Sequence, residues 1–204
     1  MTHRMHDLAN EIVRLQGELD REIEQRRKAL GWNLQNRLVE FEHGIVVQHR
    51  RLRLSAAALV ARAPITTLAT APVIYSLILP LVLVDIWASI YQRICFPIYK
   101  IPLVQRSDYI AFDRQHLAYL NWIEALNCGF CGYANGLVAY LREISSRTEQ
   151  YWCPIKHAIR ISDPHSRYRD FLEYGDAEGY RERLERFRET LREQKDGEQA
   201  AGSG

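Results

Sequence analysis

The residues with the strongest chemical signature are Cys128, Cys131, Cys153 and His157. They read as Cys-x2-Cys, 21 intervening residues, then Cys-x3-His. A Cys-x2-Cys pair brings two sulfurs close enough to share one ion, and Gly129 and Gly132 let backbone amides turn toward the thiolates. Three thiolates and one imidazole complete a tetrahedral shell for zinc, and the same residues suit an iron–sulfur cluster. Cys95 is the alternative fourth ligand, giving four thiolates in place of three with His157.

This set carries a geometric condition. One continuous helix from Cys131 to Cys153 would separate the two by about 33 Å, at 1.5 Å of rise per residue. A shared ion therefore requires the chain to fold back. A helix from about 135 to 147, followed by an extended return through Thr148–Trp152, just reaches. The competing chemistry is a cycling dithiol at Cys128 and Cys131, although no βαβ pattern of a thioredoxin surrounds the pair. Packing cysteines are the third reading.

Other constellations are weaker. Asp113 and His116 lie one helical turn apart, with Glu124, Glu143 and Glu149 elsewhere, but no Glu-x2-His pair repeats as a di-iron bundle requires. Phosphate-binding glycine loops and a Gly-x-Ser-x-Gly nucleophile motif are absent from the sequence. With 27 basic and 25 acidic side chains in 204 residues, the charge balance points away from a nucleic-acid partner.

The elements that must position the cysteines follow from periodicity. Leu8, Ile12, Leu15, Leu19, Ile23, Leu30, Leu34, Leu38, Phe41 and Ile45 recur at three- and four-residue steps, with one step of seven. They form the stripe of a long amphipathic helix or of two helices in series, with Gly31 and Gly44 as bends. Such a stripe needs a partner, from this chain, from another protein or from a second copy in a coiled coil. No secretory leader is expected from these residues, since Arg4, Asp7, Glu11 and Arg14 interrupt the first twenty.

From Ala63 to Gln92 the only formal charge is Asp85. The run is long enough to cross a hydrocarbon core, with Tyr75, Trp87 and Tyr91 as interfacial aromatics. Arg50, Arg51, Arg53 and Arg62 precede it, and Arg93, Lys100 and Arg106 follow. Basic residues on both flanks suit a re-entrant hairpin that turns at Pro72 and returns to the same side; a single span is the alternative. Asp85 is read as reaching headgroup water near one end of the run.

Beyond Pro102, Tyr109–Asn127 reads as a helix capped by Ser107 or Asp108. Glycines around the Cys-x2-Cys interrupt helical order, which resumes over Leu137–Arg147. Tyr180–Lys195 is a charged helix with Leu184, Phe187 and Leu191 as its stripe, and the tail from Gly197 is expected to be disordered.

The fold expected is all-α: an amphipathic or coiled-coil helix over 1–53, a membrane helix or re-entrant helical hairpin over 54–104, a compact helical cysteine module over 105–175, and a charged C-terminal helix with a disordered tail over 176–204. The function expected is that of a membrane-anchored protein binding zinc or an iron–sulfur cluster. It would serve as an electron-transfer, redox-sensing or accessory component, with its cysteine module on the cytoplasmic side. The alternative is a non-catalytic assembly subunit of a membrane complex whose cysteines are structural. Membrane lipid and a protein partner or homodimer through the N-terminal helix are the expected partners.

Overall fold

The structure, a computed structural model, describes residues 3–29, 32–35, 38–41 and 43–202. It is helical almost throughout. Helix α1 spans His3–Ala29, and strands β1 (Trp32–Gln35) and β2 (Leu38–Phe41) follow. Then come α2 (His43–Arg51), α3 (Ala56–Arg62), α4 (Ile65–Ser76), α5 (Ile78–Tyr99), α6 (Trp122–Trp152) and α7 (Tyr180–Gly202). Two units emerge, one of Met1–Arg62 with Asp113–Ala125, the other of Ala63–Phe112 with Leu126–Gly204.

In the first unit the expected helical continuation past Ala29 is replaced by an antiparallel pair, with Trp32 opposite Phe41 and Gln35 opposite Leu38. Trp32, Val39 and Phe41 favour extended backbone, and Asn33 is a poor helix former, so local preference outweighs the apolar spacing. Leu30 and Gly31 lie outside the described residues. On α1, Ile12 (58 % exposed), Leu15 and Leu19 (59 %) leave the amphipathic stripe open. Ser55 begins α3 by accepting a bond from the Ala58 N–H at 3.2 Å.

The second unit opens with α4 and α5, which run together as one apolar helix of 35 residues from Ile65 to Tyr99. The expected hairpin at the prolines does not form. Pro64 stands at the N-cap of α4, where no N–H is needed, and Pro80 lies in the first turn of α5. Pro72 and Pro97 are held inside helices, and Leu77 between α4 and α5 keeps a right-handed helical conformation.

Lys100 ends α5 in the left-handed region at φ 59°, and the Ile101 N–H reaches back to the Phe96 carbonyl at 2.8 Å. This stop reverses the chain. Ile101–Phe112 then returns along α5, so that Val104 meets Gln92 and Arg106 meets Asp85. Ile101, Pro102, Val104 and Ile110 are buried. Each large apolar side chain removed from water in this way stabilises by roughly 1.5–3 kcal/mol.

Helix α6 starts at Trp122, not at Tyr109. Asn121 Oδ1 accepts from the N–H groups of Ile123 (3.0 Å) and Glu124 (3.1 Å), while Glu124 Oε2 accepts from the Asn121 N–H (2.9 Å). This reciprocal capping box defines the start. The helix runs unbroken to Trp152, and Gly132 and Gly136 are buried inside it as packing positions instead of interruptions. A Cβ on Gly136 would lie 2.6 Å from the Tyr109 carbonyl oxygen, so only glycine lets the return segment approach.

Asp85 pairs with Tyr133, Gln92 with Tyr140, and Tyr99 with Tyr151, so α5 and α6 run in the same direction. Phe96, Leu137, Tyr140 and Ile144 fill the space between them. Helix α7 adds Leu191 to this core. Gln150 donates to the Phe187 carbonyl at 3.1 Å, and Arg188 lies 4.7 Å over the Tyr151 ring. The expected disordered tail from Gly197 instead continues α7 to Gly202, with Ser203 and Gly204 outside the described residues.

Candidate functional site

The continuity of α6 decides the fate of the cysteine constellation. Cys128 and Cys131 lie in its first third and Cys153 follows its last residue, all with free thiols. Cys131 and Cys153 therefore stand about 33 Å apart along the axis. The chain does not fold back as a shared ion requires, and the structure does not bring Cys128, Cys131, Cys153 and His157 together. Replacing His157 by Cys95, half-buried on α5, meets the same obstacle. Among the described residues, no three His, Cys, Asp or Glu side chains group as metal ligands.

Each of these residues has other surroundings. The His157 N–H donates to the Tyr168 hydroxyl at 2.6 Å, and its ring stacks on Tyr168. Cys153 is largely exposed as a residue, yet desolvation of its thiol, with the Glu149 carboxylate nearby, pushes the thiol above its ordinary value. That direction is opposite to the one a reactive redox thiolate needs. Asp113 caps a short turn by accepting from the Arg114 N–H at 2.8 Å, away from any metal geometry.

The polar convergence lies instead on the inward face of α5. Asp85 is 7 % exposed and accepts from Arg106 Nη2 at 2.7 Å, from Arg106 Nε at 3.2 Å and from the Tyr133 hydroxyl at 3.0 Å. It turns inward to these partners and does not reach out to headgroup water. One heptad further on, Gln92 is equally buried; its Oε1 accepts from the Val104 N–H at 3.0 Å, and its Nε2 donates to the Tyr140 hydroxyl and the Val104 carbonyl.

The opposite face of α5 is apolar and open. Leu79, Leu83 (67 % exposed), Trp87 (73 %), Ile90, Ile94 and Ile98 follow helical spacing along it. This is the reverse of a surface helix in water, which buries its apolar stripe and exposes its polar one.

A second network fixes α6 to the segment before α7. Glu143 accepts from Arg147 Nε at 2.8 Å and from Arg167 Nη2 at 2.9 Å. Burial raises the Glu143 carboxyl, but the two guanidinium groups outweigh it and hold the group below the ordinary carboxylate range. Asp85, Gln92, Tyr133 and Tyr140 were not singled out as a set from the sequence. Their only signal is a shared seven-residue step, 85 to 92 and 133 to 140.

No protein-family profile, curated protein or solved structure matches this chain. The geometry of its own residues therefore carries the functional reading.

Proposed function

We propose that this protein is a non-catalytic, membrane-anchored assembly subunit, attached through Ile65–Tyr99. The observation that carries the reading is the inverted face pattern of α5, with Asp85 and Gln92 turned in and Leu83, Trp87 and Ile94 turned out. In a bilayer, polar side chains turn toward protein and apolar ones toward lipid. The Asp85–Arg106 pair removes the one formal charge between Arg62 and Arg93 that would oppose burial. Part of the return segment's backbone is met by α5 and α6, since Gln92 bonds both the Val104 N–H and carbonyl and Arg147 donates to the Pro102 carbonyl.

An assembly role is supported by α1, whose exposed Ile12, Leu15 and Leu19 offer a stripe for a helical partner or a second copy. The dispersal of the cysteines along α6 favours this reading over electron transfer or redox sensing.

Alkaline extraction of membranes from cells making the full chain tests the anchor. The protein should stay with the lipid pellet and leave it only with detergent. Quantitative release of dispersed protein into the aqueous phase would refute the reading.

A further inference from the structure

A cavity of about 430 Å³ in the first unit is lined by Arg50, Arg53, Gln115, His116, Asn121 and Trp122, among others. Its chemistry is one-sided. None of the lining residues is a carboxylate. Among the described residues, no hydrogen bond or ion pair engages the guanidinium group of Arg50 or Arg53.

Asn121 supplies an independent observation. It is 2 % exposed, and its Oδ1 is committed to capping α6 through the N–H groups of Ile123 and Glu124. That commitment fixes which end of the amide is nitrogen. Asn121 Nδ2 is left buried with no hydrogen-bond partner among the described residues. A buried donor of this kind is uncommon in a folded protein and calls for an acceptor. The adjacent carboxylate, Glu124, is held by the Asn121 N–H at 2.9 Å and does not line the cavity.

Trp122 and Ala125, in the first turn of α6, complete the wall, so the positive end of a 31-residue helix also faces this region. Two exposed guanidinium groups, a buried amide donor without a partner and a helix N-terminus suit a ligand that is anionic and rich in acceptor oxygens. Phosphoryl groups meet both conditions, and arginine matches their geometry by paired bonds.

We propose that the cavity holding Arg50, Arg53 and Asn121 binds a phosphate-bearing anion, the headgroup of an acidic phospholipid or a free phosphate. The donor set does not depend on membrane attachment, so this site and the anchor stand or fall separately.

Calorimetric titration of the full-length protein in neutral detergent tests the site with two probes, inorganic phosphate and micelles doped with phosphatidic acid against diacylglycerol. Saturable binding of phosphate identifies a soluble source; binding of phosphatidic acid alone, with no response to diacylglycerol, identifies a lipid source. In either case Arg50→Gln/Arg53→Gln should weaken binding tenfold or more. Asn121→Asp should do the same, since it keeps an N-cap for α6 but replaces the donor with a negative oxygen. Unchanged thermal melting of that variant would show that the fold persists. Binding of neither probe, or binding that survives both variants, overturns the proposal.

Discussion

Asp85 accepts a 3.0 Å hydrogen bond from the Tyr133 hydroxyl, 48 residues later in the chain. The same offset separates Gln92 from Tyr140. Two polar side chains on one helix and two tyrosines on another are thus matched at a common seven-residue step. This match holds α5 and α6 in parallel register, with Arg106 from the return segment closing the first contact. Ion pairing there satisfies a charge that an apolar helix could not otherwise carry inward.

Removing one member should cost more than removing both. Asp85→Leu leaves Arg106 and Tyr133 without their acceptor, and should lower stability by about 1.5–3 kcal/mol, the range for hydrogen bonds to charged groups. Asp85→Leu with Arg106→Leu should recover part of that loss. Thermal unfolding in detergent of the two single variants and the double variant measures the coupling; strict additivity would mean that the pair is not a unit.

Gly136 and Gly17 should respond in opposite directions to alanine. A Cβ on Gly136 meets the Tyr109 carbonyl at 2.6 Å and Ile110 Cα at 3.0 Å, both backbone atoms. Gly136→Ala should therefore destabilise by about 1–3 kcal/mol. Gly17 has nothing within 4 Å of such a Cβ and lies inside α1, so Gly17→Ala should gain up to about 1 kcal/mol of helix stability. Melting temperatures and helical circular dichroism of the two variants decide the point.

Dispersal of the cysteines along α6 makes a further expectation. Cys128→Ser, Cys131→Ser, Cys153→Ser and His157→Ala should each change stability by no more than about 1 kcal/mol, without a common pattern. Elemental analysis beside the melting curves is the check. Parallel loss of metal and of structure in all four would restore the shared site, since binding energy at such a site is folding energy.

The helical class and the apolar segment were legible in the sequence because both rest on composition and local periodicity. Asp85 was visible too, but its environment was not: Arg106 and Tyr133 lie 21 and 48 residues away, and nothing local ties them to it. The glycines around Cys128 and Cys131 misled for a related reason. A glycine buried against another segment looks, in one dimension, the same as one that breaks a helix. At Trp32–Phe41, apolar spacing suited a helix while side-chain preference suited strands, and preference prevailed. The start of α6 was written locally in the Asn121–Glu124 pair, a capping signature that the apolar spacing of Tyr109–Asn127 obscured.

Acid should weaken the Glu143 network. Its carboxyl is held low in the folded protein, so its stabilisation is complete above the unfolded pKa of about 4.3 and is lost as pH falls through the lowered folded value. Glu143→Gln removes that titration. The stability difference between the native chain and this variant should be constant near neutrality and shrink below about pH 4. A difference that stays constant down to the acid limit would show that Arg147 and Arg167 do not act through the carboxylate.

The inverted face of α5 is tested most directly by spin labels on the full chain in lipid bilayers, with its native cysteines replaced by serine. Labels at Leu83, Trp87 and Ile94 should collide readily with oxygen, which partitions into lipid, and poorly with a water-soluble nickel chelate. A label at Ser89, on the half-buried inward side, should be shielded from both. Ready access of the nickel chelate to all three outward positions would place that face in water and contradict the membrane anchor.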